Sequence, residues 1–189
     1  MTELFNIADI LPLRAEQSGA QIAIRCPGRK GPNGFARYDD TITYQQLDTR
    51  STYLAKGFQE FGIKQGVHAV VMLKPSIDFF LVMFALFKNG AVPVLVDPGI
   101  ARSALKQCLA EAQPQAFIGI PLAQIAKILL GWAPTVRLKV STGTTGFWGG
   151  KTLAAIEAMG KTSRYQLPAV QADDTAAILF TSGSTGVPK

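Results

Sequence analysis

Apolar residues along this chain fall into two alternating patterns. Residues 67–73 and 116–120 are short apolar runs, as expected for strands that are covered on both faces of a sheet. Between these runs, residues 102–112 carry Leu105, Cys108, Leu109 and Ala112 at helical spacing. Repeated strand–helix units of this kind predict an α/β fold, in which a mostly parallel sheet has helices on both faces.

The same patterns predict an element for most of the remaining chain. Further strands are predicted at residues 21–26, 35–38, 41–42, 92–96, 136–140 and 176–180. Helices are predicted at residues 5–17, 122–130 and 153–159, and also after Thr43 and after Ser76. Glycine and proline in residues 27–34 predict a turn, and residues 160–173 predict an irregular connection.

Capping residues mark two of the predicted helix starts. Thr43 is followed three residues later by Gln46, which is the spacing of a capping box, and Gly62 is placed to end that helix. Ser76 predicts the start of the next helix, with the acidic Asp78 favourably placed in its first turn.

Composition indicates a folded globular protein. The 189 residues are 48% hydrophobic with a mean hydropathy of +0.19, which excludes disorder and allows one sizeable core or two small ones. This apolar balance predicts bare surfaces that other segments would cover. The apolar run 79–87 is too short to span a membrane and predicts a buried helix.

The net charge of +6 raises the question of an anionic partner. Arg25, Arg29, Lys30 and Arg37 cluster around the predicted turn at residues 27–34. No nucleic-acid motif accompanies this cluster, so a solvated loop is the better interpretation and no nucleic-acid partner is expected.

Residue types that usually bind metals are scarce. Cys26 and Cys108 have no C-x-x-C spacing, and with the single histidine, His68, they form no credible metal site. His68 begins an apolar strand, which favours a structural role over a catalytic one. The N-terminus has no basic region before an apolar stretch, so no secretory signal is predicted and the expected location is cytoplasmic.

The most specific chemistry lies in a glycine- and hydroxyl-rich segment, residues 181–189 (TSGSTGVPK), which follows the predicted strand 176–180. Gly183 and Gly186 allow positive φ and a close approach of the backbone to a ligand. Successive backbone N–H groups in such turns form a nest for anions, to which Lys189 adds a positive charge. Hydroxyl donors come from Thr181, Ser182, Ser184 and Thr185. The segment therefore predicts a site for a phosphate-type anion.

Neither this segment nor a second glycine-rich stretch has Walker A spacing. In the terminal segment, Pro188 stands where the spacing from Gly183 requires glycine. Residues 143–152 end in G-K-T, but the first glycine of the motif would fall on Thr145. A mobile loop that carries Trp148 is the better interpretation of this second stretch.

The terminal segment matches T-S-G-[ST]-T-G-x-P-K, the phosphate loop of the adenylate-forming superfamily, which contains acyl-CoA synthetases, luciferases and peptide-synthetase adenylation domains. Residues 41–47 (TITYQQL) and 86–98 (LFKNGAVPVLVDP) resemble two further segments of that superfamily, in the expected order. A finer resemblance, to the β-lactone synthetase and fatty-acyl ligase branch of olefin biosynthesis, rests on residues 97–99 (DPG), 108–114 (CLAEAQP), 117–121 (FIGIP) and 131–132 (GW).

The resemblance implies that residues 1–189 are the N-terminal subdomain of an adenylation domain, truncated at its phosphate loop. It implies an AMP-forming ligase in which ATP and a carboxylic acid, here a fatty or 3-hydroxy fatty acid, give an acyl-adenylate and pyrophosphate. The β- and γ-phosphates would be held, with no acid–base role, by Thr181, Ser182, Gly183, Ser184, Thr185, Gly186 and Lys189. The Mg²⁺ ligand is expected outside this chain, so the chain alone is expected to be inactive and to contact the remainder of the enzyme.

Two other functions stay open on the sequence. One is an adenylation domain of a peptide synthetase that activates an amino acid, although residues 99–102 lack the aromatic residue and proline that such domains usually carry there. The other is a non-catalytic protein whose loop binds phosphate or serves as an interaction surface. Sequence beyond Lys189 would distinguish them.

Overall fold

The computed structural model describes residues 5–97 and 99–181. After a short 3-10 helix (Ile7–Asp9), the helices are α1 (Ile10–Ser18), α2 (Tyr44–Phe61), α3 (Ile77–Lys88), α4 (Arg102–Ala112), α5 (Pro121–Leu129) and α6 (Leu153–Thr162). The strands are β1 (Ile22–Cys26), β2 (Asp40–Thr43), β3 (His68–Met72), β4 (Val92–Val96), β5 (Ala116–Gly119), β6 (Leu138–Ser141), β7 (Lys151–Thr152) and β8 (Ile178–Phe180). This succession of strands and helices confirms the predicted α/β class.

Six of these strands form one parallel sheet in the order β7-β6-β5-β3-β4-β8. In the middle of the sheet, Val70 on β3 lies opposite Val94 on β4 and Phe117 on β5. β1 and β2 form a separate antiparallel pair. Helical crossovers join the parallel strands from β3 to β6 and from β7 to β8, since parallel neighbours cannot be joined by a tight turn. β6 and β7 are joined by the loop at residues 142–150.

The sheet separates two hydrophobic cores. Side chains alternate along β3, so that Ala69 and Val71 face one core and Val70 faces the other. The first core contains buried residues of α1, α2, α3 and α6, and it also covers the β1–β2 pair. The second is covered by α4 and by the alanines of α5. Helices therefore lie on both faces of the sheet, as predicted.

Local hydrogen bonds confirm the predicted caps. The Thr43 N–H donates to Gln46 Oε1 at 3.0 Å and the Gln46 N–H donates to Thr43 Oγ1 at 3.2 Å, which completes the capping box of α2. Gly62 ends α2 with a φ of 108°, a left-handed conformation that glycine adopts without a steric penalty. At the start of α3, Ser76 Oγ accepts the Phe79 N–H at 3.3 Å.

Two predictions of secondary structure were wrong. Residues 35–38 do not form a strand: Phe35 and Tyr38 are exposed, and the segment turns back beside residues 28–31 through backbone hydrogen bonds and an isolated bridge between Lys30 and Ala36. Strand β7 was not predicted, since two residues are too short for a periodic pattern. The remaining predicted elements are present, with ends that shift by a few residues.

His68 joins two elements of the fold, and the two cysteines are buried. The His68 backbone N–H donates to Gln115 Oε1, and its Nδ1 lies 2.6 Å from Ala112 O, so the imidazole joins β3 to the end of α4. Cys26 and Cys108 are free and buried, and burial raises the pKa of each thiol. Among the helices of the described ranges, none combines the length and apolar character needed to cross a membrane.

Candidate phosphate-binding site

The root of the predicted phosphate loop lies at the carboxyl edge of the parallel sheet. Phe180, the last residue of β8, is buried and lies opposite Val96 on β4. Its carbonyl oxygen accepts the Asp97 N–H at 3.0 Å. Thr181 follows directly and is exposed, so the strand holds the start of the loop while the threonine faces solvent.

Of the predicted phosphate-binding residues, Thr181 lies within the part of the chain that the structure describes. The others lie outside the described residues: Ser182, Gly183, Ser184, Thr185, Gly186 and Lys189. Their role in phosphate binding therefore stays a prediction from sequence, and the structure contributes the position from which the loop starts.

A second turn lies beside this root, at the carboxyl end of β4. Asp97 Oδ1 accepts the Gly99 N–H at 2.8 Å, and the Asp97 carbonyl accepts the Ile100 N–H at 3.0 Å. These bonds shape the turn between β4 and α4 next to Thr181. The sequence indicated Asp97 as part of a motif, but its local hydrogen bonds were not foreseen, although Asp followed by glycine two residues later is a known signal for such a turn.

The sheet has a topological switch point at the same edge. β3 and β5 are neighbours, but the helix after β3 packs on the first core and the helix after β5 lies on the other face. Ligands of open α/β sheets bind at such switch points, outside the carboxyl ends of the strands. Because the strands are parallel, α3 and α5 both begin at this edge, and the positive ends of their dipoles favour an anion there.

Charged side chains near the start of α3 are engaged with one another. Arg50 on α2 donates from Nε and Nη2 to the carboxylate of Glu157 on α6, at 3.0 and 3.1 Å. Asp78 lies beside them, and burial raises the pKa of its carboxyl group above its ordinary value, while Arg50 acts in the opposite direction. Arg50 and Glu157 connect α2 to α6, and this pair could not be predicted from the sequence because its members are far apart along the chain.

The second glycine-rich stretch, residues 143–152, is not a nucleotide loop. Trp148 is buried and its Nε1 donates to Ser141 Oγ at 3.0 Å, while Lys139 Nζ donates to the Trp148 carbonyl at 2.8 Å. Lys151 and Thr152 form β7, and Thr152 Oγ1 caps α6 by accepting the Ala155 N–H. The interpretation as a mobile loop is corrected: the buried tryptophan and β7 anchor this stretch.

No group of three or more histidine, cysteine, aspartate or glutamate side chains in residues 5–97 and 99–181 is arranged to hold a metal ion.

The model of the AMP-binding enzyme family matches residues 14–189. The chain belongs to this family.

Two curated relatives are especially similar to this chain. The olefin beta-lactone synthetase of Xanthomonas campestris is 61% identical over 189 residues, which is 100% of this chain and 34% of the relative. The olefin beta-lactone synthetase of Stenotrophomonas maltophilia is 60% identical over 97% of this chain and 34% of its own length. The chain thus spans about a third of the length of these relatives.

A solved structure supports the fold. The long-chain-fatty-acid-CoA ligase of Archaeoglobus fulgidus aligns with a TM-score of 0.78 and 23% identity, covering 97% of this chain and 35% of that one. At this identity the likeness shows the fold alone, a parallel sheet with helices on both faces.

Proposed function

We propose that this chain is the N-terminal part of an ATP-dependent, AMP-forming ligase that activates a fatty or 3-hydroxy fatty acid. The observation that carries the proposal is the identity of 61% over the whole chain to an olefin beta-lactone synthetase. Membership of the AMP-binding family supports the acyl-adenylate reaction. Relatives among peptide synthetases are less similar, for example triostin synthetase I at 28%, which disfavours an amino-acid substrate.

In the proposed reaction, the carboxylate of the acid attacks the α-phosphorus of ATP and pyrophosphate leaves. In the β-lactone branch, the 3-hydroxyl of the same substrate would then displace AMP. Negative charge on the departing phosphates is stabilised by fixed donors and cations, which is how enzymes of phosphoryl chemistry achieve most of their rate.

Residues 181–189 would supply these donors. The hydroxyl groups of Thr181, Ser182, Ser184 and Thr185, with the backbone at Gly183 and Gly186, would hold the β- and γ-phosphates, and Lys189 would contact the same anion. Two observations support this role. Phe180, the residue before the loop, is held to Asp97 by a backbone hydrogen bond, and helix N-termini lie at the same carboxyl edge of the sheet. Mg²⁺ would be bound by residues outside this chain. Since ATP is the substrate, we place the protein in the cytoplasm.

ATP–pyrophosphate exchange by the intact protein tests the proposal. The panel of acids contains fatty acids, 3-hydroxy fatty acids and amino acids. We expect exchange with the first two classes. Exchange that depends on amino acids alone would assign the protein to the peptide-synthetase type, and binding of phosphate without exchange would assign it to a non-catalytic type. We expect no pyrophosphate release from the 189-residue chain by itself.

A pair of lysine variants tests the phosphate loop. Lys189→Ala removes a charge-assisted contact worth about 1.5–3 kcal/mol, so exchange should fall by roughly 10- to 100-fold. Lys151→Ala is the matched control, because Lys151 lies in β7 in a sequence that only looks like a nucleotide loop. Equal losses in both variants, or no loss in Lys189→Ala, would contradict the assignment of residues 181–189.

A further inference from the structure

Asp97 uses three of its polar groups at the point where β4 ends. Its backbone N–H donates to the Phe180 carbonyl at 3.0 Å, its carbonyl oxygen accepts the Ile100 N–H at 3.0 Å, and its Oδ1 accepts the Gly99 N–H at 2.8 Å. One residue therefore takes part in two structures. It extends the pairing of β4 with β8 by one hydrogen bond, and it closes the turn that leads to α4.

The bond to Phe180 matters because β8 is short. The strand contains three residues, and among the described strands it pairs with β4 alone. Leu179 is 59% exposed, so side-chain packing restrains the strand little. Within the described residues, the Asp97–Phe180 bond is the last one of the β4–β8 pairing before Thr181, where the predicted phosphate loop begins.

The side chain of Asp97 fixes the turn from which its backbone N–H points to Phe180. An aspartate whose carboxylate accepts the N–H two residues later forms an Asx turn, in which the side chain and the local backbone hold each other in place. Gly99 lies close to this carboxylate, since a Cβ at Gly99 would be 3.3 Å from Asp97 Oδ1. The carboxylate oxygen thus holds the turn, while the N–H of the same residue holds the start of the loop.

We propose that Asp97 is a positioning residue for the phosphate loop of residues 181–189, an inference that rests on the proposed function. By accepting the Gly99 N–H, its side chain keeps the start of the loop in the place from which the loop binds the phosphates of ATP. The negative charge of Asp97 has no part in this role, because a carboxylate beside a phosphate site repels the ligand. Asparagine offers the same acceptor oxygen without the charge and is therefore able to replace it.

A loosened start of the loop predicts a specific kinetic change. A variant whose loop is competent to bind for about a tenth of the time has an apparent affinity for ATP that is about tenfold weaker. Saturating ATP selects the competent arrangement and restores the rate. The KM for ATP should therefore rise roughly tenfold while kcat stays within about twofold. A purely structural role would instead lower kcat through a smaller active fraction and leave the KM for ATP unchanged.

ATP–pyrophosphate exchange by the intact protein, measured over a range of ATP concentrations, tests this change. Asp97→Ala should raise the KM for ATP roughly tenfold. Asp97→Asn should keep the KM within about twofold of the wild-type value, because its side-chain carbonyl still accepts the Gly99 N–H.

Asp174→Ala is the matched control. Asp174 is also partly buried, and its Oδ2 accepts the N–H of Gln171 in a turn at 2.9 Å. The same oxygen accepts Gln65 Nε2 at 3.0 Å, ahead of β3, so Asp174 lies at the amino edge of the sheet, opposite the loop. This variant should leave the KM for ATP unchanged.

Hydrogen exchange of the intact protein without ATP gives a second measurement that does not depend on activity. The amide of residue 97, which is bonded to Phe180, should lose at least about tenfold of its protection in Asp97→Ala and keep it in Asp97→Asn. If the wild type exchanges no pyrophosphate with any acid, the proposed function fails, and this difference in protection still decides whether the Asp97 side chain holds the start of the loop.

The role of Asp97 is overturned by unchanged protection at residue 97 in Asp97→Ala, or by a loss of kcat in that variant at the wild-type KM for ATP. An Asp97→Asn variant that behaves like Asp97→Ala would also overturn it, because the charge would then be the feature that matters. So would an equal rise of the KM for ATP in Asp174→Ala. Failure of Asp97→Ala to fold, seen by circular dichroism, would assign the residue to the stability of the sheet and not to the position of the loop.

Discussion

The carboxyl group of Asp78, in the first turn of α3, is partly withdrawn from water. Burial raises its pKa above the ordinary value of 3.8, Arg50 lowers it, and Glu157 and Asp40 raise it further. The attraction of Arg50 is limited because its guanidinium is already bonded to Glu157. Folding therefore makes the carboxyl group of Asp78 harder to ionise.

This environment predicts a pH dependence of stability. Above pH 3.8 the folded chain keeps a proton on Asp78 that the unfolded chain has lost, so the free energy of unfolding falls as pH rises through the raised pKa. Asp78→Asn should remove this fall, so that the variant gains stability relative to the wild type between about pH 4 and neutrality. Urea unfolding across this range measures it, with Asp39→Asn at an exposed position as the control. A gain in stability of the wild type over this range would show that the Arg50 attraction dominates.

At the scale of residues, the sequence predicted what depends on near neighbours. It identified Asp78 as a residue of the first helical turn and His68 as structural. The altered pKa of Asp78 could not be predicted, because it depends on Arg50 and Glu157, which are brought close by folding. The burial of Trp148 was missed for the same reason, since its partner Ser141 becomes a neighbour when β6 and its following loop fold.

Helices α2 and α6 pack so closely that two glycines in their contact leave no room for a side chain. Gly57 on α2 and Gly160 on α6 face each other across this contact. A Cβ at Gly160 would overlap the Tyr53 backbone, and a Cβ at Gly57 would overlap the Ile156 backbone. Glycine is therefore required at both positions by the distance between the two helices, although it weakens each helix by itself.

Replacing Gly160 by alanine reverses the ordinary preference of helices. In an unhindered helix, alanine is more favourable than glycine by about 1 kcal/mol. At residue 160, overpacking against backbone should make Gly160→Ala destabilising by about 2 kcal/mol or more. Ala158→Gly, on the exposed side of α6, measures the ordinary preference and should cost about 1 kcal/mol. Stabilisation by Gly160→Ala in urea unfolding would contradict the close contact.

At the scale of elements, the predicted helix caps were confirmed, whereas the predicted end of α6 was wrong. The capping box at Thr43 and the cap at Ser76 were predicted because both use bonds within four residues. An irregular connection was predicted from Gly160 onward, yet α6 continues to Thr162. A glycine inside a helix and one that ends it look alike in sequence, and only the neighbouring helix distinguishes them.

At the scale of the whole molecule, the protection of backbone amides against hydrogen exchange is expected to differ between strands. β3 lies between β4 and β5 and is covered on both faces, whereas β8 is bonded to β4 alone among the described strands, with Leu179 exposed. Local opening requires less free energy where fewer buried contacts and hydrogen bonds are lost.

Hydrogen exchange of the 189-residue chain measures this difference. Amides of β3 should exchange through global unfolding, and those of β8 should exchange faster by at least tenfold. β6, which has two hydrogen-bonded neighbours and lies on the other side of β3, serves as the control and should resemble β3 more than β8. Equal protection of β3 and β8 would contradict an open edge at β8.

The sequence by itself determined the alternation of strands and helices, the parallel sheet and the family. The spacing of apolar residues and the hydrogen bonds of helix caps each involve only a few neighbouring residues, and the phosphate-loop motif is one contiguous segment. Each can therefore be recognised in the sequence. Tertiary structure decided the strand order, the anchoring of residues 143–152 and the reversed polarity of α5. These depend on which distant segments become neighbours: the leucines of α5 look like core residues in sequence, and only the packed sheet shows that Gln124 and Lys127 face inwards instead.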